Sequence, residues 1–266
     1  MRAERQYGAR DDAGLSAQAT LRTHPRRESV KTGARGFVQA ALDAVQFRFD
    51  VFPRLLYQPL PWLGRVESGR ADGTTARWRA IEAVLERAPV GSALDVGCQA
   101  GFFTLSLGER GIPALGVDLD PRSLRIAQYA ARRARIENVG WCRLRVDADT
   151  VRLLPRVDAV LALSVWHHWV FAYGLEQAGA ILSALWERCD RVLFFETGEE
   201  EMPSAFGLPD MAGDTEGWLA GYLAEHCPGG AVSVLGRFRA FGVDGDETRN
   251  VAFRHLFAVG REDAAS

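Results

Sequence analysis

The chain has 266 residues, 47% of them hydrophobic and 25% charged, which is ordinary for a globular protein and long enough for one well-buried α/β domain with some tens of residues to spare. Its formal charge of −2 and pI near 6.2 argue against a polyanion-binding surface, and no apolar run approaches the ~18–20 residues of a membrane span. Cys98, Cys142, Cys189 and Cys227 are far apart, with neither zinc-site nor CxxC spacing and no secretory signal before them, so reduced thiols in a cytoplasmic setting are expected.

Residues 1–33 are rich in arginine, serine, glycine and acids, without apolar periodicity, and read as a disordered tail. A helical extension is expected over 34–90. The apolar spacing from Phe37 to Phe52 suits an amphipathic helix stopped by Pro53, the aromatic, proline-broken Leu55–Trp62 follows, and a second helix is expected over about Thr75–Arg87.

From residue 91 to 262 the rhythm changes. Short apolar runs at Ser92–Val96, Ala114–Val117, Trp141–Val146, Ala159–Leu163 and Val192–Phe195 alternate with helical patterns at Phe102–Glu109, Pro121–Ile136 and Tyr173–Arg188. That alternation predicts βαβ units, a doubly wound and mainly parallel sheet with helices on both faces. Val232–Gly236 and Arg254–Val259, separated by the turn-rich Val243–Asp246, are expected to be an antiparallel pair closing the C-terminal edge.

The strongest local signal is Leu94-Asp95-Val96-Gly97-Cys98-Gln99-Ala100-Gly101-Phe102, a strand running through a glycine turn into a helix. Gly97 permits the turn, and Gly101 is expected to let the backbone approach a ligand. The second signal is Gly116-Val117-Asp118-Leu119-Asp120-Pro121. Asp118, at the end of the next strand, suits the ribose hydroxyls of an adenosine-containing ligand, whereas Asp120 before Pro121 suits a helix N-cap. A dinucleotide loop would read G-x-G-x-x-G; Gln99 stands in place of its second glycine. Asp95 in the loop approach suits a cationic ammonium and sulfonium and suits a pyrophosphate badly. The ligand implied is S-adenosyl-L-methionine (SAM), not a nicotinamide dinucleotide.

Asp95-x-Gly97-x-Gln99-x-Gly101, followed by Gly116-Val117-Asp118 and a strand ending near Asp147-Ala148, resembles the cofactor core of class I SAM-dependent methyltransferases over about Ser92–Val259. The resemblance implies a Rossmann-like seven-stranded sheet. It also implies that Asp95, Gly97, Gln99 and Gly101 wrap the amino-acid part of SAM, that Asp118 with Leu119 holds the ribose side, and that Asp147 and Ala148 border the adenine. The segment after the fourth strand, Leu163-Ser164-Val165-Trp166-His167-His168-Trp169, borders the transferring methyl in this family, and Glu196 ends the next strand at the same rim. His168, then His167, then Glu196 are the expected general bases. The Leu-Ser-Val-x-His-His run with Glu196 is also similar to methyltransferase domains that cap phosphorylated surface polysaccharides.

The expected acceptor is therefore a small molecule or glycan, whose oxygen would gain from a base; a phosphate acceptor would need an arginine clamp more. An RNA-directed enzyme and a SAM-binding partner protein without catalysis remain alternatives, the acidic balance counting against the first. No metal site is evident, Glu199–Glu201 reading as a solvated acidic loop. The arginines of Pro121–Ile136 read as a solvated helix face. The N-terminal extension is expected to act as a substrate lid, so that deleting residues 1–62 would abolish methylation and spare SAM affinity.

Overall fold

The computed structural model describes residues 58–64, 71–211, 213–241 and 251–261; the expected tail and the Phe37–Phe52 helix lie outside the described residues. Strand β1, Ala93–Val96, is buried at all four positions. A strand covered on both sides belongs at the centre of a parallel sheet, even with Asp95 as one of its four residues. β1 pairs in parallel with β2 (Ala114–Asp118) and with β4 (Val157–Leu163). β3 (Val139–Arg143) extends the sheet beyond β2, and β5 (Cys189–Glu196) beyond β4, again in parallel. β6 (Gly230–Phe241) and β7 (Val251–Arg261) form the antiparallel edge, giving the seven-stranded order β3-β2-β1-β4-β5-β7-β6. The chain order reverses between β1 and β4, so a crevice opens there beyond the carboxyl ends of the strands.

Alternate residues of each central strand feed opposite cores. Leu94, Val160 and Phe195 pack with Trp166, Leu182, Leu185 and Leu219 on one face. Ala93, Leu161 and Phe194 pack with Ile81, Leu85, Phe103 and Leu107 on the other. The two-residue strand period thus gives each helical layer its own apolar floor. Helices α1 (Ala71–Arg87) and α2 (Phe102–Glu109) contribute to the second core, α5 (Leu175–Trp186) and α6 (Thr215–His226) to the first. α3 (Pro121–Ala134) starts as its sequence requires: Asp120 accepts the amide hydrogens of Arg122 and Ser123, with Pro121 at the first turn. It stops at Ala134 because Arg135 turns into the left-handed region, and Arg122, Arg125, Arg132 and Arg133 lie exposed on it. Among the described residues no helix is long and apolar enough to cross a membrane.

The helical pattern expected over Tyr173–Arg188 is met by α5, Leu175–Trp186, and a further helix precedes it. α4 spans Trp166–Tyr173, α5 begins at Leu175, and Gly174 separates them at φ 84°, ψ 166°. This conformation is open to glycine almost alone, which is why the break falls there. α6 is a further element that strand and helix alternation does not reveal; Asp214 caps it through the Gly217 amide. A methyl group added at Gly174 would meet no atom within 4 Å, so its cost is backbone strain alone. Gly174→Ala should therefore lower stability in urea unfolding by about 1–3 kcal/mol. Gly64→Ala, at φ 67° and ψ 18° in the ordinary left-handed basin, should cost less, about 1–2 kcal/mol. Equal stability of wild type and Gly174→Ala would refute the strained junction.

Candidate active site

A cavity of about 530 Å³ occupies the crevice at the β1/β4 reversal. Asp95, Gly97, Gln99 and Asp118 line one part of it, and Ser164, Val165, His168 and Trp169 another. Its floor is built by the turn after β1. Gly97 has φ 76°, and a Cβ there would press on Val165 at 3.3 Å. Gln99 is also left-handed, at φ 52°, and its own Oε1 accepts the Ala100 amide hydrogen at 2.7 Å. That local bond lets a non-glycine residue hold a conformation that glycine usually supplies.

Gln99 also donates its backbone N–H to Asp118 Oδ2, while Asp120 N–H donates to Oδ1, both at 2.8 Å. The carboxylate is thus fixed at the cavity edge, beside the exposed Leu119. Gly101 does something other than expected. It does not line the cavity; at φ 85°, a Cβ would sit 2.5 Å from the Trp141 ring and 2.9 Å from Ala127. It is needed for packing under the loop rather than for ligand approach.

Beyond β3 the placement shifts. The strand ends at Arg143, and Leu144, Arg145 and Val146 line the cavity, whereas Asp147 and Ala148 do not. The Asp147 carboxylate is turned away, accepting from the amides of Asp149 and Thr150 and from Thr150 Oγ1. The backbone bond from Thr150 is the main reason its pKa lies below the usual value. A residue that starts the short 3₁₀ turn Val151–Leu153 cannot also face the crevice.

The twin histidines divide. Both lie at the start of α4, following Ser164, whose φ of 57° sharpens the exit from β4. His168 is exposed and lines the cavity. His167 is buried, and its Nδ1 accepts the Gly198 amide hydrogen at 3.0 Å and lies 3.2 Å from Thr197 Oγ1. Since Nδ1 is the acceptor, the ring is neutral with its proton on Nε2. Burial, then the charges of Arg254 and His168, push its pKa down to about 2. His167 therefore anchors the loop after β5, away from the cavity.

Glu196 does not reach the cavity either. It is fully buried, paired with Arg77 at 2.5 Å and Arg254 at 3.6 Å, and it accepts from Ser164 Oγ at 2.5 Å. Burial alone would raise its pKa, but Arg77 and then Arg254 bring it below the ordinary value. A carboxylate so stabilised is a poor proton acceptor. Glu199, expected in a solvated acidic loop, is instead buried against His255, with both carboxylate oxygens 3.1 Å from Nδ1. Among the described residues no group of three His, Cys, Asp or Glu side chains could hold a metal ion.

Arg77 and Phe103, of which sequence patterns gave no warning, also line the cavity, as does Gln58 from the segment expected to be a lid. Gln58 accepts the Phe102 amide hydrogen at 3.2 Å. Leu60 is fully buried against Ala100, Leu105, Ile126 and Ala130, and Trp62 packs on Phe102 with ring centroids 5.8 Å apart. The stretch Gln58–Trp62 is thus packed onto the glycine loop and α2, not held apart from them. Deleting residues 1–62 should consequently weaken SAM binding by at least tenfold in a calorimetric titration, the reverse of the behaviour of a simple lid. Unchanged affinity in the truncated chain would restore the lid.

Asp95, by contrast, is a buried acid that does meet the cavity. It is 2% exposed, and Thr104 donates to its Oδ2 through both N–H (3.1 Å) and Oγ1–H (2.6 Å). Burial outweighs these bonds and raises its pKa to about 7. A raised carboxyl pKa lets the folded state keep a proton that the unfolded chain loses above about pH 4. Stability then declines as pH climbs to 7 and the penalty is constant beyond. Without ligand, Asp95→Asn should gain on wild type by about 2–3 kcal/mol between pH 5 and pH 8 in urea unfolding. Parallel pH profiles of the two proteins would contradict the raised value.

These features fit a ligand with a diol at one end and a cationic tail at the other, with carboxylates where each would lie. Comparison with known proteins agrees. A methyltransferase domain model matches residues 94–193. The O-antigen chain terminator bifunctional methyltransferase/kinase WbdD of Escherichia coli is 28% identical over 122 residues, 44% of this chain and 16% of that protein. Ubiquinone biosynthesis O-methyltransferase of Leptothrix cholodnii is 32% identical over 75 residues, 28% of this chain and 32% of that one. The chain therefore spans no more than about a third of either relative.

Among solved structures, the bifunctional kinase-methyltransferase WbdD superposes with a TM-score of 0.58 at 23% identity, covering 79% of this chain and 44% of that one. Magnesium protoporphyrin IX methyltransferase from Synechocystis PCC 6803 with bound SAM gives 0.53 at 15% identity, over 90% and 100%. Both share the fold described above. The domain match, the sequence relatives and this architecture agree on a methyltransferase domain within residues 94–193, and its cofactor is S-adenosyl-L-methionine.

Proposed function

We propose that the protein methylates an oxygen atom of a small molecule or glycan, with His168 as the general base. When bound, SAM supplies a sulfonium-activated methyl group. Asp118 would hold the ribose hydroxyls, its orientation already set by Gln99 and Asp120. Asp95 would meet the ammonium group, which holds it ionised. Gly97 would lie under the ligand, and Leu144–Val146, rather than Asp147 and Ala148, would border the adenine.

The observation that carries the proposal is the splitting of the histidine pair. His168 is the exposed, cavity-lining member, held in place because His167 beside it is pinned inward by Gly198. Burial and the charge of Arg254 keep the His168 pKa below the usual histidine value, so the ring is neutral at pH 7 and able to take a hydroxyl proton. A phosphate acceptor fits less well. Arg77 is already neutralised by Glu196, and the exposed Arg145 is the other arginine lining the cavity among the described residues. The relatives named as O-methyltransferases support an oxygen acceptor.

His168→Ala, assayed with radiolabelled SAM against a panel of phenolic and sugar acceptors, should lower kcat by about 10²–10⁴ and leave SAM affinity within twofold. Wild-type activity should fall only on the acid side of the usual histidine range, where His168 protonates, and the variant's residual activity should lack that acid limb. Full activity in His168→Ala would remove the base assignment. SAM binding without methylation of any acceptor would favour a non-catalytic partner protein.

A further inference from the structure

One helical turn beyond His168, Phe171 lines the cavity with 61% of its surface exposed. A lone phenylalanine on a protein surface carries no meaning. This one is neither lone nor remote from the chemistry. Residues three apart share a helix face, so Phe171 stands on the same side of α4 as His168. Phe206, from the 3₁₀ turn Ser204–Phe206 between β5 and α6, packs against both. Its ring lies 5.1 Å from that of Phe171 and 5.9 Å from that of His168. Phe206 also meets His167 at 5.8 Å, and His167 is tied to Gly198. The exposed ring and the histidine are therefore held to one frame, at one spacing.

The chemistry of this wall selects among acceptors. α4 lines the cavity with His168, Trp169, Phe171, Ala172 and Tyr173, of which none is an arginine, a lysine or a carboxylate. An anionic acceptor finds no counter-charge on it, since burial and the charge of Arg254 hold His168 neutral. A sugar carries a hydroxyl on nearly every ring carbon, and α4 can pair with only a few of them, through His168, Trp169 and Tyr173. Polar groups buried without partners count against binding. A flat aromatic ring has the opposite needs. It stacks offset on a phenyl face, and a single hydroxyl at its edge completes its hydrogen bonding.

We infer that Phe171 determines acceptor specificity by stacking an uncharged planar aromatic alcohol, of the phenol or naphthol class, with its hydroxyl toward His168. The acceptor oxygen gives its proton to His168 and bonds to the methyl carbon as the carbon–sulfur bond of SAM breaks, leaving the neutral thioether. The acceptor is then an aryl alcohol and not a glycan. This inference rests on the reading of the protein as an O-methyltransferase with His168 as base.

The test uses the full chain saturated with the demethylated cofactor product and titrated calorimetrically with 2-naphthol. Methyl glucoside and 2-naphthyl phosphate are the comparisons. Wild type should bind 2-naphthol at least tenfold more tightly than either. Phe171→Leu keeps an apolar side chain but removes the ring, and should weaken 2-naphthol by at least fivefold. Phe171→Tyr keeps the ring and should bind it within twofold of wild type. With radiolabelled SAM, the Leu variant should raise KM for 2-naphthol by a similar factor and leave kcat within twofold. Equal affinity of wild type for naphthol and sugar would overturn the inference, and that comparison needs no variant to fold. Naphthol binding that Phe171→Leu leaves intact would overturn it too; in either case O-methylation of another acceptor would stand. Methyl transfer to no oxygen acceptor at all would bring down the O-methyltransferase reading, and the inference with it.

Discussion

One buried carboxylate ties the architecture together. Glu196 ends β5 with no solvent contact and is met by Arg77 from α1, Arg254 from β7 and Ser164 from the end of β4. Arg254 passes the connection to Glu201 at 2.6 Å, and Arg77 passes it back to Thr74 and Gly73 of its own helix. Four elements distant in sequence are registered at one point behind the cavity wall. Such a pair adds little net stability against an apolar replacement, yet removing one partner strands a charge at about 3–5 kcal/mol. Its value here is positional. Ser164, Arg77 and the start of α4 all line or lead into the cavity, and Glu196 sets where each lies.

The two acids at the cavity show how environment divides similar groups. Asp118 accepts two backbone amides at the loop edge, whereas Asp95 is enclosed and bonded through one oxygen to Thr104. The enclosed acid keeps its proton near neutrality in the absence of a cation, and a cationic ligand restores its charge. Ligand binding and proton release are therefore linked at Asp95. The same contrast separates His168 from Glu196: the histidine is at the cavity and neutral, the glutamate behind it and ionised.

Much of this was legible in the sequence. Continuous apolar runs such as Ala159–Leu163 report a strand covered on both faces, and Asp120-Pro121 reports a helix start; both hold. Gly97-x-x-x-Gly101 and Asp118 report a cofactor loop because turn geometry and charge are local properties. What was hidden depends on three-dimensional partners. Nothing local distinguishes Glu196 as a buried ion-pair centre from a rim carboxylate, since its arginines lie at positions 77 and 254. Gly101 looks like a ligand-facing glycine until Trp141 from β3 is seen beneath it. Asp147 misleads for a local reason, as Thr150 three residues on draws it into a turn.

The part of the site least visible in sequence is also the part most open to specificity. On the reading proposed above, the loop after β1 and the acid after β2 would serve the cofactor, and their chemistry would be constrained by it. Gln58, Arg77 and the aromatic group around Phe206, which packs on Phe171 at 5.1 Å and on His168 at 5.9 Å, come from segments outside that core. Phe171 is 61% exposed, so this aromatic surface is available to a second molecule. On the proposed reading a ring-bearing acceptor would stack there with its hydroxyl toward His168, since aromatic faces tolerate many substituents but hold a ring in place. His167, by joining α4 to the segment after β5 through Gly198, holds that aromatic surface and His168 in one frame.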